Sequence, residues 1–352
     1  MPLKLLFLAS AVGPLGAPET GGVSRFLRNS VKALQGRGHR IEVLACEGGA
    51  RDGLHVRTVS GHFQPSAASP APPRDYIVPP RGLLARMLRT AWDRQSEFDL
   101  VLNLNHDWLP YYLTGFFATP LAHIANLAAA SEATDAEIAE TATRYPGRVA
   151  VLTATQGRLL GLAEPVLVPF CMDFSEYTPG EGRGGYLAWA GRIAPEKGLA
   201  NAAAVAAAAG LPLLVAGGIG DEAYWQAVLA RHGDTVRYLG FLATAELQAM
   251  LGGASALLQT QQWEEAFGGI TVEAMACGTP VVAYRRGANV ELVQEGLTGW
   301  LVDPNDLDQA VAAIGRATGI DRSACRRAAE AAFGLDRLLA AYEAWFRRLG
   351  LG

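Results

Sequence analysis

The stretch YLAWAGRIAPEKGLANAAAVAAAAGLPLLVA, Tyr186 to Ala216, decides the fold. Tyr186 to Ala190 is an unbroken apolar run, too short for a buried helix, and reads as a strand covered on both faces. A loop opens at Gly191 and an alanine-rich helix follows from Leu199 to Ala209. Gly210 and Pro212 stop that helix, and a second apolar run occupies Pro212 to Ala216. Strand, helix and strand in that order make one unit of a parallel sheet.

The same alternation extends in both directions. Downstream, strands are predicted at Val236 to Leu239, Ala256 to Leu258, Pro280 to Ala283 and Trp300 to Val302. Helices are predicted at Asp221 to His232, Thr244 to Leu251, Ile270 to Ala276 and Leu307 to Arg316. Upstream, strands are predicted at Leu3 to Ala9, Ile41 to Ala45, Leu100 to Leu104, Leu121 to Ile124, Val149 to Leu152 and Val166 to Val168. A helix is predicted at Val23 to Gln35, ending before Gly36 and Gly38. His62 to Pro80 holds six prolines and reads as a mobile surface loop, because proline neither donates to a ladder nor sits inside a helix. Two doubly wound series follow, one over residues 1–170 and one over 171–334, joined near Cys171 to Gly185. A final amphipathic helix, Leu335 to Leu349 within 335–352, has an apolar face for either of them, the first included. The length of 352 residues, at about 150 per domain, agrees with two.

Half of the residues are hydrophobic and 18% are charged, which excludes disordered, collagenous and coiled-coil chains. The net charge is −4 and neither sign collects into a run, so nothing draws this surface to nucleic acid or to an anionic membrane, although peripheral membrane contact stays open. Cys46, Cys171, Cys277 and Cys325 are widely spaced and have no metal-ligand or disulfide pattern, which suits a reducing cytoplasm. The N-terminus, with Lys4 and Ala9-Ser10-Ala11, has elements of a signal peptide. A first buried strand is preferred because a glycine-rich loop and a helix follow it directly. Two uncharged stretches, Tyr111 to Ala130 and Leu199 to Gly218, reach membrane-spanning length, but each is broken by glycine and proline and reads as a buried helix followed by a strand.

In open parallel sheets ligands bind beyond the carboxyl ends of the strands, so the loops there carry the chemistry. After the first strand, Glu19-Thr20-Gly21-Gly22 leads into a helix whose amides and dipole suit an anion; the alternative is a simple turn. The pattern is not GxGxxG, and Glu42 stands at the start of its strand rather than the end, so a dinucleotide dehydrogenase loses ground. Gly191 to Gly198 places Arg192 and Lys197 around a turn that feeds a helix, a planar fork and a point charge suited to a diphosphate; two solvated cations are the alternative. In Trp263 to Pro280, Ile270 to Cys277 is apolar except for Thr271 and Glu273. A carboxylate on a buried helix needs hydrogen-bond donors, which ribose or sugar hydroxyls, or a structural Arg, would supply. Gly268 and Gly269 open that helix between Glu265 and Glu273. One loop can then grip sugar, phosphate and ribose.

The Glu265 to Glu273 segment resembles the E-x7-E motif of the retaining glycosyltransferases of family four, whose GT-B fold is α/β, two doubly wound Rossmann-like domains facing across a cleft. Gly191 to Gly198 resembles that family's glycine-arginine loop ending in Glu-Lys-Gly, and Val236 to Gly240, Glu246-Leu247 and Gly296 to Pro304 are similar as well. The resemblance implies an N-terminal acceptor domain and a C-terminal nucleotide-sugar domain. It implies that Arg192 and Lys197 bind the donor diphosphate, Glu273 the ribose and Glu265 the sugar hydroxyls. Amides near Gly21, Gly22, Gly268 and Gly269, flanked by Phe267 and Ile270, would hold phosphate or sugar, with Arg192, Lys197 and Glu265 as the catalytic set.

One position departs from the family. Its sugar-facing His, shortly after the strand that begins at Pro120, is matched by Asn126, with His123 and His106 as rivals. His106, Asp107, Trp108 and Asn126 form the acceptor set. Longer runs, among them Asn103 to Thr114, Tyr238 to Leu242 and Trp263 to Gly269, most resemble cyanobacterial-type enzymes that glucosylate tetrahydrobiopterin from UDP-glucose. Trp108, Tyr111, Tyr112, Phe116 and Phe117 would stack a flat pterin or, at helical spacing, fill a core.

The expectation is a retaining, metal-independent hexosyltransferase using a nucleotide sugar, UDP-glucose, as cosubstrate and no cofactor. Its acceptor is a small molecule such as a pterin, with lipid or saccharide as the alternative. Asp306-Leu307-Asp308 reads as a helix cap rather than a metal site. The rivals are a glycoside hydrolase using Glu265 and Glu273, and a sugar-binding protein.

Overall fold

The computed structural model describes residues 1–16, 21–49, 53–64, 80–127 and 131–351. Glu19, Thr20 and most of the proline-rich stretch read as a loop lie outside the described residues. The chain divides into two compact units, Met1–Met172 with Leu335–Gly352, and Asp173–Gly334.

The first unit runs β1 (Lys4–Leu8), α1 (Gly21–Gln35), β2 (Arg40–Ala45), β3 (Val56–Thr58), α2 (Leu83–Arg94), β4 (Leu100–Asn103), α3 (Trp108–Tyr112), β5 (Leu121–Ala125), α4 (Glu132–Arg144), β6 (Val149–Val151), α5 (Ala154–Leu159) and β7 (Val166–Leu167). Its seven strands lie in the order β3-β2-β1-β4-β5-β6-β7, all parallel, with Leu5 between Ile41 and Leu100. Leu5, Leu6, Phe7 and Leu8 are fully buried, as the unbroken apolar run requires of a strand covered on both faces. The last helix of the chain belongs to this unit: it packs on α1, where the Tyr342 hydroxyl and Ser30 Oγ are 2.9 Å apart and Trp345 Nε1 donates to the Gly147 carbonyl at 2.6 Å.

The second unit runs β8 (Leu187–Ala190), α6 (Leu199–Ala208), β9 (Leu213–Ala216), α7 (Glu222–His232), β10 (Val236–Tyr238), α8 (Thr244–Gly253), β11 (Ala256–Gln259), α9 (Gly269–Ala276), β12 (Val281–Tyr284), α10 (Asn289–Leu292), β13 (Gly299–Val302), α11 (Leu307–Ala317) and α12 (Arg322–Phe333), and α13 (Leu335–Arg348) returns to the first. Its six parallel strands are ordered β10-β9-β8-β11-β12-β13. Leu187, Leu213, Ala256 and Leu258 make the sheet side of a core closed by Leu199, Val205 and Ala313.

Short polar side chains begin several of these helices. Asp107, Ser131, Thr153, Asp221, Asp306 and Asp321 each accept a backbone N–H of the first turn, worth about 1 kcal/mol apiece. Asp306 thus caps α11, with Gln309 N at 2.9 Å from its Oδ1. Glu42 is held by Arg57 at 2.8 Å and by Arg94; burial works to raise its pKa, but these hydrogen bonds outweigh it and the carboxyl titrates below its usual range. It is a structural ion pair of β2. All four cysteines are free and buried, and burial pushes the Cys171 and Cys325 thiols up to about 12, which leaves them protonated and inert.

Candidate functional site

The sheet order of the second unit reverses between β8 and β11, since β9 and β10 lie to one side of β8 and β11 to β13 to the other. That reversal parts the connections and leaves a crevice at the carboxyl ends of the two strands. The loops leaving β8 and β11 carry Gly191 to Gly198 and Thr260 to Gly268. They are tied together: Gln262 N donates to the Glu196 carbonyl at 2.7 Å and Thr260 Oγ1 to the Gly198 carbonyl at 2.8 Å. Gly198 has φ +72°, and a Cβ there would lie 1.9 Å from the Thr260 carbonyl oxygen. Only glycine fits both the left-handed backbone and that approach.

The charged side chains of these loops meet in pairs. Arg192 Nη2 lies 2.5 Å from Glu196 Oε1. Lys197 Nζ pairs with Glu265 Oε2, a residue 68 positions away. The same Glu265 oxygen accepts from Trp263 Nε1 at 3.1 Å, and Lys197 Nζ stands 4.8 Å from the centre of the Trp263 ring. Glu264 fixes the segment from behind by accepting the Gly287 N–H at 2.7 Å, and Ala288 N donates to the Glu265 carbonyl at 2.9 Å.

Helix α9 begins at this point. Gly268, at φ +79° and ψ +63°, turns the chain into it, and no acidic side chain occupies its first turn, so its leading amides face the loop uncompensated by a carboxylate of their own helix. Its body is buried, with Thr271 at 0% and Glu273 at 5% exposure, and Phe267 locks the entry by an edge-on contact with Phe333 at 5.9 Å. The structure therefore gathers Arg192, Lys197, Glu265 and the Phe267, Gly268, Gly269, Ile270 turn at the exits of β8 and β11, and sets Glu273 on the buried helix behind them.

Gly21 and Gly22 belong to the first unit and open α1, two residues earlier than the predicted helix start. A Cβ at either would meet nothing within 4 Å, so neither glycine is demanded by packing. In the first unit the reversal lies between β1 and β4. His106, Asp107 and Trp108 follow β4, and Asn126 follows the adjacent β5 and donates to the Leu104 carbonyl at 2.6 Å. The four acceptor candidates thus share one sheet edge. Asp107 also caps α3 through Leu109 N at 2.9 Å. His106 is almost enclosed, with its Nε2 3.6 Å from Asp135 Oδ1.

His123 is not a sugar-facing residue. It is fully buried between Asn103 Nδ2 at 3.2 Å and Thr114 Oγ1 at 2.8 Å, and its ring stacks on Tyr111 at 4.3 Å. Burial pushes its pKa down to about 3, so it stays neutral. Tyr111 and Phe117 are core residues as well, while Tyr112 and Phe116 are exposed. The aromatic residues of α3 and of the turn after it therefore divide between core and surface.

Sequence reasoning gave no role to Trp263 or Glu196, although both stand inside the quoted loops. A Trp two residues before an acid is the signal for the first, and an acid beside Lys197 for the second. Nor did that reasoning give a role to Ile219, Leu239 or Phe241, exposed apolar side chains after β9 and β10, although the last two lie in the quoted run Tyr238 to Leu242. Among the described residues, no group of three or more His, Cys, Asp or Glu is placed to hold a metal ion, and no helix is long and apolar enough to cross a membrane.

Residues 181–333 match the family model described as glycosyl transferases group 1. The D-inositol 3-phosphate glycosyltransferase of Mycobacterium tuberculosis (strain ATCC 25618 / H37Rv) is 29% identical over 403 aligned positions, covering 97% of this chain and 83% of that protein. Among solved structures, AviGT4, a glycosyltransferase involved in avilamycin A biosynthesis, superposes with a TM-score of 0.73 at 21% identity, covering 99% of this chain and 98% of its own. Anabaena Alr3699/HepE in complex with UDP and glucose gives a TM-score of 0.75 at 19% identity, covering 98% and 100%. The two Rossmann-like units are those of the GT-B fold.

Proposed function

We propose, starting from the group 1 glycosyl transferase domain that residues 181–333 form, that this chain moves a hexose from a nucleotide diphosphate sugar to a small hydroxylated acceptor. The observation that carries the reading is the meeting of Arg192, Lys197, Glu265 and the start of α9 at one strand-end crevice. Two cations and a helix N-terminus are what a leaving diphosphate requires, and a carboxylate beside them accepts sugar hydroxyls. Glu273 is assigned to the ribose, and Ile219, Leu239 and Phe241 offer an apolar face to the base. UDP-glucose is the donor of first choice.

In the reaction, the bond from C1 to the phosphate oxygen breaks as the acceptor oxygen bonds C1 on the same face. Bonding on the face that the phosphate leaves gives retention, and the acceptor proton passes to the departing phosphate oxygen. Arg192, Lys197 and the α9 amides stabilise charge that grows on the diphosphate, with no metal in the step. Two phosphate-directed cations are idle equipment for a glycoside hydrolase or a simple sugar-binding protein.

Two acceptor classes have support. The subgroup resemblance favours a reduced pterin such as tetrahydrobiopterin, with Trp108, Tyr112 and Phe116 left to stack it. The mycobacterial relative, named for D-inositol 3-phosphate, favours a polyol phosphate. The test begins with thermal shifts against UDP-glucose, UDP-N-acetylglucosamine, UDP-galactose and GDP-mannose, since a ligand at 100 times its Kd stabilises by about 2.7 kcal/mol. The donor that shifts the melt is then supplied with tetrahydrobiopterin, D-inositol 3-phosphate, simple sugars or lipid vesicles. Nucleotide release with product of the added mass identifies the acceptor, and no shift from any donor refutes the reading.

A further inference from the structure

We infer that Trp263 is a positioning residue of the donor site, acting on Glu265 through its indole N–H and on Lys197 through its ring face. This rests on the reading that Glu265 meets the sugar and Lys197 the diphosphate.

Three observations carry it. Trp263 Nε1 donates to the same Glu265 oxygen that pairs with Lys197, at 3.1 Å. The Lys197 ammonium stands 4.8 Å from the Trp263 ring centre, within the range of a cation–π contact. The Lys197 and Glu265 side chains keep only 24% and 16% of their exposure, so their charges interact in a partly dry environment.

The consequence is a division of labour. Paired as they are, Lys197 and Glu265 neutralise each other. A diphosphate draws the ammonium toward itself, and a sugar hydroxyl then takes the place of that ammonium on the carboxylate. A carboxylate released from its ion pair would turn freely and lose the geometry that the sugar needs. The indole N–H holds it, because a neutral donor survives the departure of the cation. The ring face does the same for Lys197, which keeps an attractive surface along its path without a competing negative charge. Glu264, fastened to Gly287 N, and the Ala288 N bond to the Glu265 carbonyl hold the backbone between them, so the indole restrains the side chains alone.

Two substitutions separate the two contacts. Trp263→Phe keeps a ring for Lys197 and removes the N–H; Trp263→Leu removes both. Calorimetry with UDP and with UDP-glucose, together with kcat and KM for transfer, reads them out. For Trp263→Phe, UDP affinity stays within about twofold of wild type, while UDP-glucose affinity falls about fivefold and kcat falls further, as loss of a charge-assisted hydrogen bond requires. For Trp263→Leu, UDP affinity falls about fivefold as well, the size of a lost cation–π contact. A Trp263→Phe variant that loses UDP and UDP-glucose affinity equally, or neither, overturns the inference. Wild type that binds neither UDP nor UDP-glucose overturns the donor assignment and this inference together.

Discussion

At the scale of single residues, charge and burial make opposite demands, and the structure separates them. Arg192 and Lys197 are partly exposed and paired with Glu196 and Glu265, as the proposed exchange of those carboxylates for a diphosphate requires. Replacing either with Ala is expected to lower turnover by about 10² or more, as loss of preorganised electrostatic stabilisation does elsewhere, with little change in melting temperature. Steady-state kinetics on both variants checks this, and near-wild-type turnover in both refutes it. His123 is the opposite case. Its native pKa of about 3 lies below the ordinary value, so between those two limits the unfolded chain binds a proton that the native chain does not. Its contribution to stability is full above about pH 6.5 and is lost as the pH falls toward 3. Melts at pH 7 and pH 4 should show wild type losing more stability on acidification than His123→Gln; equal losses would contradict the assignment.

At the scale of elements, the site rests on two left-handed glycine turns that differ in what surrounds them. Gly198→Ala would drive a methyl group into the Thr260 carbonyl and also force a left-handed backbone, so the β8 and β11 exits must part. A loss of more than about 2 kcal/mol is expected, beyond the 1–2 kcal/mol cost of the backbone alone, together with weaker UDP binding. Denaturant unfolding and calorimetry on the same variant measure the two effects. Gly268 has the same sign of φ, but a Cβ there would reach only ordinary contacts, 3.5 Å from Glu265 Cγ and 3.7 Å from Thr271 Oγ1. Gly268→Ala therefore carries only the backbone cost of about 1–2 kcal/mol. Helix α2 is not among the helices predicted from the sequence. The signal was present in α2, whose apolar Leu83, Leu84, Met87, Leu88 and Ala91 recur at helical spacing, but the proline-rich stretch before it hid the boundary.

At the scale of the whole molecule, the proposal that Arg192, Lys197 and the start of α9 stabilise the departing diphosphate carries one more expectation. Transfer should survive EDTA unchanged, and loss of activity restored by magnesium or manganese would refute metal-independent catalysis. Every strand position except β3, the parallel class of both sheets and the loops that carry Arg192, Lys197 and Glu265 were legible in the sequence; β3, three mostly exposed residues at the sheet edge, has no apolar run to announce it. The physical reason is that a strand buried on both faces must be apolar at every position, and a loop at its carboxyl end inherits its place from that strand. Which side chains meet was not legible. Lys197 finds Glu265 across 68 residues, His123 is enclosed by Asn103 and Thr114 while Asn126 stays at the sheet edge, and α13 leaves the second unit to pack on α1. Local pattern reports the burial of a face, but partners are chosen by the closure of distant segments onto one another, and only the tertiary structure contains that closure.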